Sequence, residues 1–104
     1  MNSNHNKVAI VTGAARGIGL ATSKLFLKNN YKVAMIDRDI KELKKIKIAS
    51  PNHKVFNFDI SDVHTNNTMI KNVFKWGKRI DVLINNAGVA DFGKIEKVSY
   101  KKWR

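Results

Sequence analysis

Three glycines, at positions 13, 17 and 19, stand between the apolar run Val8-Ala9-Ile10-Val11-Thr12 and a stretch with helical spacing. A turn built this way offers a ligand backbone N–H groups in place of side chains. Gly13 can leave the strand at positive φ because it has no Cβ to clash. Gly17 lets a ligand come close to the backbone, and Gly19 lets the new helix pack tightly on its strand. The first turn of that helix carries unpaired N–H groups and a partial positive charge, which suits a phosphate. Asp37 ends the next apolar run, at the spacing of about 20 residues where an acid meets a ribose in dinucleotide-binding turns. Its carboxylate can accept both ribose hydroxyls and would repel a 2′-phosphate, whereas the neighbouring Arg38 would pair with one. Together these residues point to a dinucleotide, with NAD favoured over NADP.

Other side chains offer less. His5, His53 and His64 lie far apart, without ligand spacing, and read as surface residues; no metal site is expected. Ser23 and Ser61 lack the His and acid partners of a nucleophile. Trp76 and Trp103 read as packing residues. The absence of cysteine excludes disulfides and thiolate metal sites, and fits a reducing cytoplasm. No apolar run approaches the ~20 residues that span a bilayer, and Met1 to Asn6 is polar, unlike a leader. A cytoplasmic chain without a membrane partner is therefore expected. The net charge of +12, from 20 Lys+Arg against 8 Asp+Glu, could mark a nucleic-acid binder. The lysines are scattered, however, and no aromatic residues interleave with them as a stacking platform requires. They read as the solvated faces of helices.

The elements that must position the glycine turn alternate between apolar runs and helical patterns, the mark of βα units on a parallel sheet. After a flexible start over residues 1–6, the runs predict strands at Val8 to Thr12, Lys32 to Asp37, Lys54 to Phe58 and Asp81 to Ile84. The first helix is predicted from about Ile18 to Asn29, with Ile18, Ala21, Leu25 and Phe26 facing inward. Asp39 caps a second helix, with Glu42 three residues on as in a capping box; Ile40, Leu43 and Ile46 or Lys47 line it until Ser50-Pro51. Ser61 or Asp62 caps a third, with Val63, Asn67, Ile70, Val73 and Phe74 inward and Gly77 as its C′ residue. Ser99 begins a further helix at residues 99–104. The expected fold is α/β: a single partial Rossmann-like domain over residues 1–104. Its parallel sheet has about four strands in the order 3-2-1-4, with helices on both faces.

Four separated segments coincide with one family. The chain resembles the N-terminal half of the short-chain dehydrogenase/reductases, from about Lys7 to Trp103. Thr12-Gly13-Ala14-Ala15-Arg16-Gly17-Ile18-Gly19 matches that family's TGxxxGxG turn, and Asn85-Asn86-Ala87-Gly88 its NNAG. Asp59-Ile60 matches its acid and apolar pair, and Ser99-Tyr100-Lys101-Lys102-Trp103 is similar to its approach to a fourth main helix. The resemblance implies a site for a dinucleotide. Ala15, Arg16 and Ile18 would bring donors to the pyrophosphate, with Gly13, Gly17 and Gly19 making room. Asp37 and Arg38 would meet the adenosine ribose, and Asp59 and Ile60 the adenine. Asn85, Ala87 and Gly88 would flank the adenosine, although Asn85 is equally suited to bonding neighbouring strands.

The same resemblance implies hydride transfer with a proton donor at the carbonyl oxygen, supplied by a Ser and a Tyr-x-x-x-Lys pair. No such pair occurs in these 104 residues. Tyr100 with Arg104 is a distant echo, in the wrong place and with a cation that cannot give up its proton. No catalytic residue is assigned. The leading expectation is thus an oxidoreductase fragment holding the dinucleotide half, truncated and inactive alone. It would act on a small carbonyl or alcohol only if the other half is supplied. The alternatives are a dinucleotide-binding module without catalysis and, more remotely, a basic nucleic-acid binder. The apolar edge Val82-Leu83-Ile84, which nothing in the sequence blunts, predicts poor stability or aggregation of the chain by itself. Substrate and oligomeric state are not specified.

Overall fold

The computed structural model describes residues 6–86. Four parallel strands, β1 (Val8–Thr12), β2 (Lys32–Asp37), β3 (His53–Asn57) and β4 (Val82–Ile84), form one sheet in the order β3-β2-β1-β4. Between them run α1 (Gly17–Lys28), α2 (Ile40–Lys44) and α3 (Val63–Gly77). Strand order and parallel pairing are those expected of right-handed crossovers. The inner strands read as unbroken apolar runs because both of their faces are covered. Val8, Ile10, Ala34 and Ile36 pack with Met69 and Val73 of α3. Val11, Val33 and Met35 point the other way, to Leu20, Phe26 and Leu27 of α1 and to Ile46 and Ile48. Helices therefore cover both faces. Ile10, Met35, Ile36, Val8, Val11 and Val33 are fully buried, each worth about 1.5–3 kcal/mol. The densest core thus lies beneath β1 and β2, the two strands whose carboxyl ends carry the glycine turn and Asp37. Among the described residues no helix is long and apolar enough to cross a membrane.

Helix α1 starts and ends close to expectation, but it is rotated. Ile18 is 57% and Leu25 60% exposed, and Ala21 is exposed as well. The inward side is Gly19, Leu20, Ser23, Phe26 and Leu27. The cause is Gly19: a Cβ there would collide with the carbonyl oxygen of Gly13 and sit 2.7 Å from its carbon. Only a glycine can face the turn so closely, so it sets the phase of the helix against the stronger apolar stripe. Ser23 is fully buried without penalty because its hydroxyl donates to the Gly19 carbonyl at 2.9 Å.

Helix α2 is shorter than expected. Asp39 caps it, accepting from the Glu42 N–H at 3.2 Å, but the capping box is not closed, because the Asp39 N–H donates to Asp37 and Glu42 pairs with Lys45. Beyond Lys44 the chain runs irregularly, and Ile46 and Ile48 alternate with exposed Lys47 and Ala49. That period-two burial anchors the segment under β2 and ends the helix. In α3 the inward residues are Met69, Ile70, Val73, Trp76 and Gly77, whereas Val63 is 70% and Phe74 53% exposed. Gly77 is the last helical residue, not the left-handed cap. A Cβ there would meet Val8 Cγ2 at 2.8 Å, and Lys78 takes the αL conformation instead, with φ 70°. Trp76 packs against the core, edge-on to Phe56. Trp103, Tyr100, His5 and the helix expected at 99–104 lie outside the described residues.

Candidate functional site

The carboxyl ends of β1 and β2 open into a cleft of about 350 Å³. Its glycine-turn wall starts where β1 stops. Gly13 has φ 61° and Gly17 φ 60°, values that side chains resist. A Cβ on Gly17 would meet nothing within 4 Å, so the space beside it is open to a ligand. The Ala14 N–H donates to the Ile36 carbonyl at 3.0 Å, carrying the β1–β2 pairing into the turn. Arg16 then caps α1 with extended backbone and no side-chain cap bond, and no acid stands in the first turn. The helix N-terminus is left with its partial positive charge uncompensated, as an anion site requires.

The second wall is Asp37, and it does more than the sequence showed. Its Oδ2 accepts the Ala15 N–H at 3.0 Å and its Oδ1 the Asp39 N–H at 2.9 Å. One carboxylate therefore ties the glycine turn to the start of α2. Each oxygen accepts one bond and keeps a further lone pair, so two ribose hydroxyls still fit. The Asp37 carbonyl is held in turn by the Phe58 N–H and the Asn57 side chain. Arg16 and Arg38 line the same cleft, giving it two guanidiniums beside two carboxylates.

The floor comes from the end of β3. Phe58 and Ile60 offer apolar surface, and both lean on the α3-side core. Asp59 accepts from the Ser61 hydroxyl at 2.7 Å and the Ser61 N–H at 3.0 Å on one oxygen. Those two bonds, with the Arg38 charge nearby, hold its carboxyl below the usual range. It is a permanent acceptor at neutral pH, suited to an exocyclic amino group. The third side is Asn86, placed by Thr12: the Asn86 N–H donates to the Thr12 hydroxyl at 2.9 Å.

Of the expected residues, the structure brings Gly13, Arg16, Asp37, Arg38, Asp59 and Ile60 together around one cleft. Ala15 lies behind it, bonded to Asp37, while Gly17, Ile18 and Gly19 form the first turn of α1. Asn85 stands elsewhere. It bonds the Thr12 hydroxyl at 3.0 Å and lines a groove on the α3 side with Asn66 and Leu83. Its neighbour Asn86 faces the cleft in its place. Ala87 and Gly88 lie outside the described residues. Phe58, Ser61 and Asn86 went unassigned from sequence. Phe58 and Ser61 flank the recognised Asp59-Ile60 pair, and a strand-end alternation could have placed Asn86.

A family model for short chain dehydrogenases matches residues 7–104. Galactitol 2-dehydrogenase of Agrobacterium fabrum is 34% identical over 95% of this chain and 39% of its own length. Meso-2,3-butanediol dehydrogenase of Serratia marcescens is 33% identical over 95% of this chain and 40% of its own. A crystal structure of a metagenomic short-chain oxidoreductase in complex with NADP matches with a TM-score of 0.76 and 33% identity. It covers 88% of this chain and 43% of that one. The chain spans about two fifths of the length of these relatives.

Proposed function

From the premise that the chain belongs to the short chain dehydrogenase family, we propose that it holds the adenosine half of NAD in the cleft between the glycine turn and Asp37. The observation that carries this reading is the Asp37 carboxylate. Two backbone N–H groups hold it at the tip of β2 with acceptor capacity to spare. The residues fit the nucleotide. The open side of Gly17 and the uncapped start of α1 suit the pyrophosphate, Phe58 and Ile60 suit the adenine face, and Asp59 suits its amino group. The nicotinamide, when bound, supplies or accepts the hydride. This chain's own contribution is to bind and orient the dinucleotide. No Tyr-x-x-x-Lys segment occurs in its 104 residues. We therefore read these residues as binding cofactor without turnover of a carbonyl or alcohol, a reaction that needs groups supplied from elsewhere. A cytoplasmic address accords with the absence of cysteine.

A second reading, NADP, rests on Arg16 and Arg38 in the same cleft and on the NADP held by the metagenomic relative. Calorimetric titration of the purified chain with each dinucleotide separates the two. Tighter binding of NAD, weakened at least about tenfold by Asp37→Ala, supports the first reading. Tighter NADP binding that Arg38→Ala removes supports the second. Binding of neither by a folded chain defeats both.

A further inference from the structure

Beside the cofactor cleft lies a groove of about 310 Å³ between α1 and the irregular chain that follows α2. Its rim is cationic: Arg16 comes from the glycine turn, Lys24 from α1, and Lys45 and Lys47 from the chain after α2. The one carboxylate lining it, Glu42, is bound to Lys45 at 2.8 Å. Four cations against one acid leave a formal +3. Among the described residues no ion pair engages Arg16, Lys24 or Lys47. Glu42 raises the Lys45 pKa through its hydrogen bond and its charge, with the Asp39 carboxylate adding to the rise, while burial and the Arg16 guanidinium work against it. The floor is apolar: Leu20, Ile46 and Ile48 are only half-buried although they pack on the Val11–Met35 layer.

Lysines on a helix face normally gain nothing by proximity, because repulsion drives their flexible ends apart into water. Here three separate elements bring cationic residues to the rim of one concave apolar strip. That arrangement is stabilised by a ligand that neutralises the rim while covering the floor. We propose that this groove binds a soluble amphiphilic anion, a phosphate or carboxylate head on a short unbranched apolar chain. Its concavity and size suit a single chain; a membrane would need a projecting apolar surface instead. The site is separate from the adenosine cleft and shares only Arg16 with its lining.

The test is an NMR titration of the full chain with octyl phosphate, with inorganic phosphate, octyl glucoside and phosphatidylserine vesicles as parallel arms. The expected result is saturable shifts at the amides of Leu20, Lys24, Ile46 and Lys47. Affinity for octyl phosphate should exceed that for inorganic phosphate or octyl glucoside by about tenfold or more, since neither supplies both chemistries. The exposed double substitution Lys24→Gln/Lys47→Gln should weaken octyl phosphate by about tenfold and leave NAD titration unchanged. Four results overturn the proposal: an unaffected double variant, equal binding of inorganic phosphate or octyl glucoside, shifts confined to the glycine turn and Asp37, or binding of vesicles alone.

Discussion

Substituting Gly19 by alanine tests the link between the glycine turn, the seating of α1 and the cleft. The added Cβ would lie 2.7 Å from the Gly13 carbonyl carbon and 2.9 Å from Asn86 Nδ2, besides overlapping the Gly13 oxygen. Carbon atoms rest at about 3.5–4.0 Å, so α1 or the turn must retreat by on the order of 1 Å. Overpacking of this kind costs about 1–3 kcal/mol. Alanine returns up to about 1 kcal/mol of helix propensity. The net expectation is a loss of about 1–2 kcal/mol, read as a lower urea midpoint by circular dichroism with an unchanged m-value. Binding should suffer more than stability. Both of these neighbours, Gly13 and Asn86, line the cleft, so their displacement moves two of its walls at once. NAD affinity is expected to fall by tenfold or more, on the order of the 1.4 kcal/mol that such a factor represents. Gly17→Ala is the matched control for stability alone. Its Cβ meets nothing within 4 Å in the free chain, and only the positive φ opposes it, at about 1–2 kcal/mol. NAD affinity should fall there too, because that open space is read as the pyrophosphate's. If Gly19→Ala kept both the wild-type midpoint and the wild-type NAD affinity, the claim that this glycine fixes the phase of α1 would fail.

Lys78→Gly should stabilise the chain by up to about 1 kcal/mol in urea melts, because Lys78 holds a left-handed conformation that glycine adopts freely. An unchanged midpoint would mean that this cap relaxes in solution. Thr12→Val keeps the shape but removes the hydroxyl that accepts from Asn86 and meets Asn85 and the Ile84 carbonyl. A loss of about 1–3 kcal/mol is expected. Asp81 accepts the Val8 N–H at 2.8 Å and a forked bond from Arg79. Burial pushes its pKa up, but the Arg79 and Val8 bonds outweigh it and hold the carboxyl below its ordinary value. A carboxyl so depressed stabilises fully above its unfolded pKa of about 3.9, and that contribution is lost as pH falls through the folded value. The urea midpoints of wild type and Asp81→Asn should therefore differ at neutral pH and converge below about pH 4. A constant difference across that window would exclude linkage through Asp81.

The strands were legible almost to the residue. β1 and β2 are apolar without interruption, and the short runs Val8-Ala9-Ile10-Val11 and Val33-Ala34-Met35-Ile36, each ended by turn residues, suit strands buried on both faces. The helix faces were less legible, because close packing overrode the apolar period. Apolar period chose Ile18, Ala21 and Leu25 for α1, and close packing chose Gly19 and Ser23, which no hydropathy scale rewards. In α3 the contact of Gly77 with Val8 turns Met69 inward and leaves Val63 and Phe74 in water. Short α2 was hidden because Ile40, Leu43 and Ile46 fit a helix as well as Ile46 and Ile48 fit an extended strip.

The site divides along the same line. Residues demanded by backbone geometry, such as Gly13 and Gly17 at positive φ, announce themselves by type and spacing. Residues placed by side-chain bonding do not. Asn85 and Asn86 are the same residue type, yet the Thr12 hydroxyl takes the side chain of one and the N–H of the other. Together with the alternation that continues past β4, this sets Asn85 on the α3 groove with Leu83 and Asn86 on the cleft. Asp37 shows the converse. Its position was legible, but its grip on the Ala15 N–H was not, because that N–H belongs to a turn whose conformation the glycines decide. A carboxylate read only as a ribose acceptor is therefore also a strut of the phosphate turn. Asp37→Ala should consequently lower the urea midpoint even without cofactor, whereas a residue serving the ribose alone would leave it unchanged.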